Sequence, residues 1–351
     1  MATRSPEPNG PRIDIHLGLE GVDIRQQRPA IARALVGLPV EAALARIPTL
    51  LPICGTAQAV AAARAVEAAR GEQENREQFS VRENSLWREQ ALAAAWRLSV
   101  DWPDLLGEAR RMDVLKRVYR ASGDKECCAA LGQMIEGLEP IDDIDSLQDW
   151  VRDSDNLAAR VIRFAQGSGP IDSAQPIPAA SRDSAALRGI ASEALAREPF
   201  DPLDPAGSPQ EVGPLAMGRD SLARQLKTNL GSTVVSRLLG QLLDARVISG
   251  AGKSARDPGN TAAGAWTEPA GGGVGCAVTA RGPVFHRVVL TGDTVADWRV
   301  LAPTDWHFSP RGPVASRLTA MAGRTRERVA LLVTSYDPCA PWALHGATGG
   351  D

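Results

Sequence analysis

The chain has 351 residues, and 39 Lys and Arg against 42 Asp and Glu leave a formal charge of −3, which excludes the basic excess that nucleic-acid and membrane-surface binders use to hold phosphates. Apolar residues make up 44% and charged residues 23%, a globular ratio, and no stretch approaches the roughly 18 uninterrupted apolar residues of a spanning helix. The opening MATRSPEPNGPR has neither the basic nor the apolar segment of a secretion signal, so a cytoplasmic chain is expected.

Ile13 to Arg25, IDIHLGLEGVDIR, alternates around Glu20-Gly21 as a hairpin does. After Pro29, the spacing of Ile31, Ala34, Leu35, Val40, Ala43, Leu44 and Ile47 predicts two helical pieces broken by Gly37 and Pro39. Leu51-Pro52-Ile53-Cys54-Gly55-Thr56 then leads into an Ala-rich helix over Ala57–Ala69. Cys54 therefore stands just before a helix N-terminus, whose free N–H groups and positive dipole end favour a thiolate. Helical patterning continues over Glu83–Val100, Pro103–Ala121, Lys125–Leu138 and Ile144–Gln166, with Asp101-Trp102-Pro103 as the break between the first two. Residues 167–184 and 199–214 are rich in Pro, Ser, Gly and Asp without period and predict loops, with a short helix over Ala185–Arg197 between them. Ser221 through Ile248 predicts a helix or helix pair with weak points at Gly231 and Gly240, and the Gly-rich residues 250–275 predict a mobile segment. Cys276–Ala280, Phe285–Leu290 and Trp298–Leu301 predict strands, and Pro313–Thr334 a helix. The expected fold is α+β, mainly helical with small β elements, one domain over residues 1–351 whose terminal thirds pack together.

Five cysteines, an odd number, do not suggest a disulfide framework. Cys127 and Cys128 are adjacent in a helix, where side chains about 100° apart chelate one ion poorly, and Cys276 starts a strand; all three read as small hydrophobes. Cys54 and Cys339 each lie in a turn beside a helix and are two candidate soft ligands, with buried inherited thiols as the plainer alternative.

The words around them are more specific: ICGTAQ, LSVDWPDLLG, TARGPVFH, APTDWHFSPRG and SYDPCAPWALH, in that order. Together they resemble the large subunit of nickel-iron hydrogenases over nearly the whole chain. That family carries CGxC near its start and DPCxxC near its end, four thiolates for nickel and iron. Here Ala57 and Trp342 stand at the second position of each pair, and the family's Arg-Ile-Glu-Gly-His type segment is replaced by IDIHLGLEG. A nickel site needs all four thiolates and indole is no ligand, so hydrogen turnover is not expected.

A large-subunit relative with half its cysteines is similar to the HupK/HoxV family of hydrogenase expression and formation proteins. This resemblance implies a non-enzymatic assembly scaffold without nickel. Its cargo would be an iron carrying cyanide and carbon monoxide, held through Cys54 and Cys339. It further implies that Arg281 points towards one cyanide, that Thr304 donates to the other, and that Asp337 orients Arg281. Implied partners are maturation proteins of the HypC/HypD type and the apo large subunit, with neither nucleic acid nor membrane. The alternative is a metal-free module that mimics the large subunit to dock maturation partners. His307 replaces an Asn of related sequences, and the short GATGGD after His345 implies no endopeptidase processing. His286 and His345 are expected to hydrogen-bond within the fold, and His16 to be a plain strand residue.

Overall fold

A computed structural model describes residues 11–18, 21–27, 31–138, 141–169, 171, 184–196, 210–250, 264–268 and 271–346. The Ile13–Arg25 alternation forms an antiparallel pair, β1 (Arg12–Leu17) and β2 (Val22–Gln27). Strand β1 also pairs in parallel with a strand near the other end of the chain, which will be β7 (Trp342–Gly346), Ile13 opposite Trp342. The terminal thirds are thus joined through one three-stranded sheet, as expected. Next come α1 (Ile31–Leu35) and α2 (Val40–Leu50), then a 3-10 turn over Pro52–Cys54 that opens α3 (Gly55–Arg70).

A second sheet is an antiparallel meander of β3 (Gly264–Thr267), β4 (Gly273–Thr279), β5 (Gly282–Thr291) and β6 (Thr294–Leu301). Here the expectation of a mobile 250–275 segment is corrected, because residues 264–267 and 273–275 are paired strand. The reason is close packing: a Cβ on Gly275 would lie 2.1 Å from the Ala61 carbonyl oxygen, and one on Gly273 2.1 Å from that of Ala65. Bare glycine backbone against the alanine face of α3 lets helix and sheet approach more closely than side chains allow. Residues 251–263 and 269–270 lie outside the described residues, as do 172–183 and 199–209 of the other two expected loops. Residues 210–214, read as loop, are buried from Gln210 to Val212 and enter a short helix at Pro214.

The helical body runs from α4 (Arg76–Trp96), through α5 (Trp102–Leu106), α6 (Met112–Arg120), α7 (Asp124–Gly132), α8 (Ile144–Asp153), α9 (Leu157–Gly167), α10 (Ser184–Ala196), α11 (Pro214–Met217) and α12 (Ser221–Leu230), to α13 (Val234–Ile248). After the meander come α14 (Pro303–Phe308), α15 (Pro313–Ala320) and α16 (Arg326–Tyr336). Helix α13 is buried along nearly its whole length and packs on α9, α11, α12 and α16. The sequence breaks fall partly elsewhere than expected. Gly231 separates α12 from α13, but Gly240 does not interrupt α13; a Cβ there would meet Leu215 at 2.8 Å, so it is a contact point with α11.

The largest departure is at Asp101-Trp102-Pro103, where no break occurs. The chain passes from α4 to α5 through a π-helical turn over Arg97–Asp101, with the Trp102 N–H bonded to the Arg97 carbonyl. Pro103 has no N–H for the Ser99 carbonyl, which accepts instead from Arg111 N at 2.8 Å. The actual break follows at Gly107, left-handed at φ 67°.

Candidate functional site

Helix α2 and the Pro52–Arg70 helix meet at 94°, and Cys54 sits at the elbow, the last residue of the 3-10 turn and the N-cap of α3. Its side chain offers α3 no capping hydrogen bond. That role falls to Glu89 of α4, which accepts from the backbone N–H of Thr56 at 2.7 Å and of Ala57 at 3.0 Å. Burial then pushes the Cys54 thiol up to about 12, Arg281 pulling the other way and Cys339 and Glu89 adding to the rise. The sequence expectation of a favoured thiolate is therefore corrected. Glu89 already answers the helix dipole, and desolvation outweighs what remains.

Cys339 is half-buried in the turn between α16 and β7. It meets Thr304 twice: the Cys339 N–H donates to Thr304 Oγ1 at 3.1 Å, and Oγ1 lies 2.7 Å from Cys339 Sγ. Hydroxyl and thiol can each donate to the other at this distance, so the pair stays bonded whether or not the sulfur carries its proton. Pro303 at the start of α14 and the Asp305 carboxylate accepting from Ala302 N fix this turn, and so Thr304.

Arg281, between β4 and β5, spans the two chain ends. Its Nη1 donates to Cys54 Sγ at 3.6 Å, Nε to the Asp337 carbonyl at 3.0 Å, and Nη2 lies 3.1 Å from Asp337 Oδ1. Burial opposes its charge, but Asp337 and both cysteines outweigh burial and keep its pKa above the ordinary value. Asp337 ends α16 with φ 48°, and it is the one non-glycine residue at positive φ among those described. Its second oxygen accepts from Arg97 Nη2 at 2.6 Å. Burial would raise its pKa, yet Arg281 and Arg97 hold the carboxyl below its usual range. One carboxylate is thus shared by two buried guanidinium groups, and its left-handed backbone aims it between them.

Two cavities flank this bridge, with Ile53 and Ala340 in the walls of both. The larger, about 420 Å³, contains Cys54, Cys339 and Thr304, and is walled by Ile13, Leu50, Leu51, Trp298 and Val300. Gln58, one turn after Cys54, is held at its back. Trp298 Nε1 donates to His286 Nδ1 at 2.9 Å, so the His286 Nε2–H faces Gln58 Oε1 at 2.6 Å. Burial takes the His286 pKa down to about 3, which keeps the ring neutral. The smaller cavity, about 230 Å³, is lined by Arg97, Arg281, Asp337, Asp101, Arg110 and Trp342, among others. Burial first, and Asp337 second, push the Asp101 carboxyl up to about 6.

The five residues singled out in the sequence, Cys54, Arg281, Thr304, Asp337 and Cys339, therefore form one connected site. Within that site Thr304 Oγ1 lies against Cys339 Sγ and Arg281 Nη1 against Cys54 Sγ. Ala57 is fully buried in the first turn of α3 and contributes no ligand, while Trp342 is in β7 and lines the charged cavity. Arg97 and Glu89 were missed. A basic residue at the close of α4 and a glutamate inside it carry no local motif, and only the π turn and the packing of α4 on α3 reveal them. Among the described residues no group of three or more His, Cys, Asp or Glu could hold a metal ion. The remaining cysteines are elsewhere, Cys127 and Cys276 buried and Cys128 half-buried. His345 pairs with Asp14 at 2.8 Å and stacks on His16 across β1 and β7. His307 is buried against Val212, with its Nε2 2.9 Å from that carbonyl.

No protein-family profile matches the chain. It is 32% identical over 346 residues to the hydrogenase expression/formation protein HupV of Azotobacter chroococcum mcd 1, covering 92% of this chain and 93% of that one. It is 33% identical over 349 residues to the hydrogenase expression/formation protein HupK of Azotobacter vinelandii, with 92% and 93% covered. Among solved structures, the Ni-Fe-Se hydrogenase of Desulfomicrobium baculatum superposes with a TM-score of 0.57 at 13% identity, over 93% of this chain and 95% of that one. An NAD+-reducing NiFe-hydrogenase in its H2-reduced state does so with a TM-score of 0.57 at 14% identity, over 91% and 92%. At such identities the structural likeness establishes the fold, a hydrogenase large-subunit fold, and the sequence relatives establish the family. The chain belongs to the hydrogenase expression/formation proteins of the HupV and HupK kind.

Proposed function

We propose that this protein is a non-catalytic scaffold of nickel-iron hydrogenase maturation that holds a cyanide- and carbonyl-ligated iron between Cys54 and Cys339. The observation that carries this reading is the convergence of both thiols, from opposite ends of the chain, on one largely apolar cavity with Arg281 and Thr304 at the sulfur atoms. Two thiolates are too few to complete the shell of a bare ion, but suit an iron that brings its own diatomic ligands. Loading exchanges two S–H bonds for two Fe–S bonds and releases two protons, with no change in the oxidation state of iron. Arg281 and Thr304, now turned to the sulfurs, are the donors available to cyanide nitrogens. The donor of the fragment is expected to be a maturation protein of the HypC/HypD type, and the acceptor the apo large subunit.

The test is infrared spectroscopy with metal analysis on protein purified without oxygen from cells expressing the full maturation system. Expected are carbonyl and cyanide bands with iron and without nickel, absent from Cys54→Ser and Cys339→Ser and unchanged in Cys127→Ser. A metal-free docking module has one observation in its favour, since the donors of Arg281 already have partners within the chain. Wild-type protein without bands that still binds purified maturation partners would establish that reading instead.

A further inference from the structure

Helix α6 is sharply two-sided. Leu115 and Val118 are buried against α4 and α7, and the opposite stripe, Met112, Lys116, Tyr119 and Arg120, has the i, i+4, i+7, i+8 spacing of one helix face and is exposed along its length. Tyr119 is 71% exposed, more than any other large hydrophobic residue among those described, and Met112 is also exposed. The chain has only two tyrosines, and the other, Tyr336, is buried behind the site. Around the stripe the charge inverts: residues 110–120 contain Arg110, Arg111, Lys116, Arg117 and Arg120 against Asp113 alone, in a chain whose net charge is −3.

Part of that charge has an internal use. Arg110 pairs with Asp104 at 2.7 Å, Arg117 reaches Gln133 at 3.2 Å, and cations in the last turn suit the dipole of α6. None of this accounts for Lys116 one turn before Arg120, a like-charge spacing that costs helix stability, nor for a thioether and a phenol left in water beside them. Tyr, Met and Arg are the residue types enriched where proteins dock, and such a ring keeps its apolar body for a partner at little entropic cost.

The patch lies beside the site. Arg111 N holds the Ser99 carbonyl of the π turn, the turn carries Arg97 and Asp101, and Arg110 lines the charged cavity behind Asp337. We infer that the Met112–Arg120 stripe is the surface on which a carboxylate-rich face of a hydrogenase assembly protein docks. The choice of assembly proteins rests on the function proposed above; the surface itself rests on α6.

The experiment measures binding of the full chain to three purified probes, a HypC-type protein, a HypD-type protein and the apo large subunit, across a salt series. The expected result is binding to at least one of them that weakens as salt rises. The triple variant Lys116→Glu, Arg117→Glu, Arg120→Glu lowers affinity tenfold or more and flattens the salt slope, and Tyr119→Ala lowers it about threefold to tenfold. Circular dichroism is expected to show unchanged folding; should the triple reversal unfold, Lys116→Glu and Tyr119→Ala, made singly, carry the test. Failure of all three probes to bind wild type, unchanged affinity in the variants, or equal binding to duplex DNA or phosphatidylglycerol vesicles would overturn the inference. Iron bands in the same preparations separate the two readings. Bands present with binding insensitive to the patch sink the surface alone, and bands absent with patch-dependent binding sink the carrier alone.

Discussion

The cavities on either side of Ile53 and Ala340 are built on opposite principles. The thiol side is roomy and mostly walled by aliphatic and indole groups, with Arg12, Arg33 and Arg299 also on its lining, while two of its polar groups are held within the fold: Thr304 against Cys339, Gln58 against His286. The other side is half the size and crowded with charge, two buried guanidinium groups around one carboxylate and a second carboxyl with a raised pKa. The two communicate through Arg281, which stands among the charges and extends one nitrogen to Cys54. The difference shows how one guanidinium can serve both sides: its charge is paired with Asp337 in the smaller cavity, and one nitrogen reaches the Cys54 sulfur at 3.6 Å.

Breaking the charged side is expected to cost most. Asp337→Asn keeps a residue that tolerates the left-handed backbone but removes the carboxylate that Arg97 and Arg281 share, and denaturant unfolding should show a loss of about 3–5 kcal/mol. Moving the wall that carries the thiol comes next. Gly275→Val forces a side chain into the Ala61 carbonyl, and the expected loss is about 3 kcal/mol, read from the unfolding midpoint; under the proposed carrier function, iron retention would weaken as α3 shifts.

Asp101 offers a test by pH. Its folded-state pKa of about 6 lies above the ordinary 3.8, so between those values the folded chain holds more protons than the unfolded one. Its contribution to stability therefore falls as pH rises through that window. Asp101→Asn should be about 2 kcal/mol more stable than wild type at neutral pH and equal to it at pH ~3, measured by urea titrations at both. The smallest effect belongs to the thiol side: Thr304→Val leaves the Cys339 N–H without its acceptor and costs about 1 kcal/mol in a urea titration; under the proposed carrier function it would also reduce iron retention severalfold.

Much of this was legible in the sequence because turns and chemistry coincide there. Pro52 and Gly55 bracket Cys54, Pro303 precedes Thr304, and Asp337-Pro338 precedes Cys339, so punctuation residues mark the site's corners. The β1–β2 hairpin and most helices followed from periodicity alone. What stayed hidden depends on distant partners. The π turn arises because Pro103 removes a donor and Arg111 supplies another, which a search for helix ends reads as a stop. The glycines of β4 look like a flexible segment until the alanine face of α3 is laid on them. The Cys54 thiol looks activated by its helix until Glu89 arrives from α4 to take the same N–H groups.

The parallel pairing of β1 with β7 also has a consequence in time. A ribosome that has made Arg12–Leu17 must add some 325 further residues before Trp342–Gly346 exists to pair with them, on the order of twenty to sixty seconds at 5–20 residues per second. Throughout that interval one edge of β1 has no strand beside it, and Cys54 waits without Arg281, Thr304, Asp337 or Cys339. The pocket is therefore assembled among the last events of synthesis, when the segment that carries Cys339 and β7 emerges.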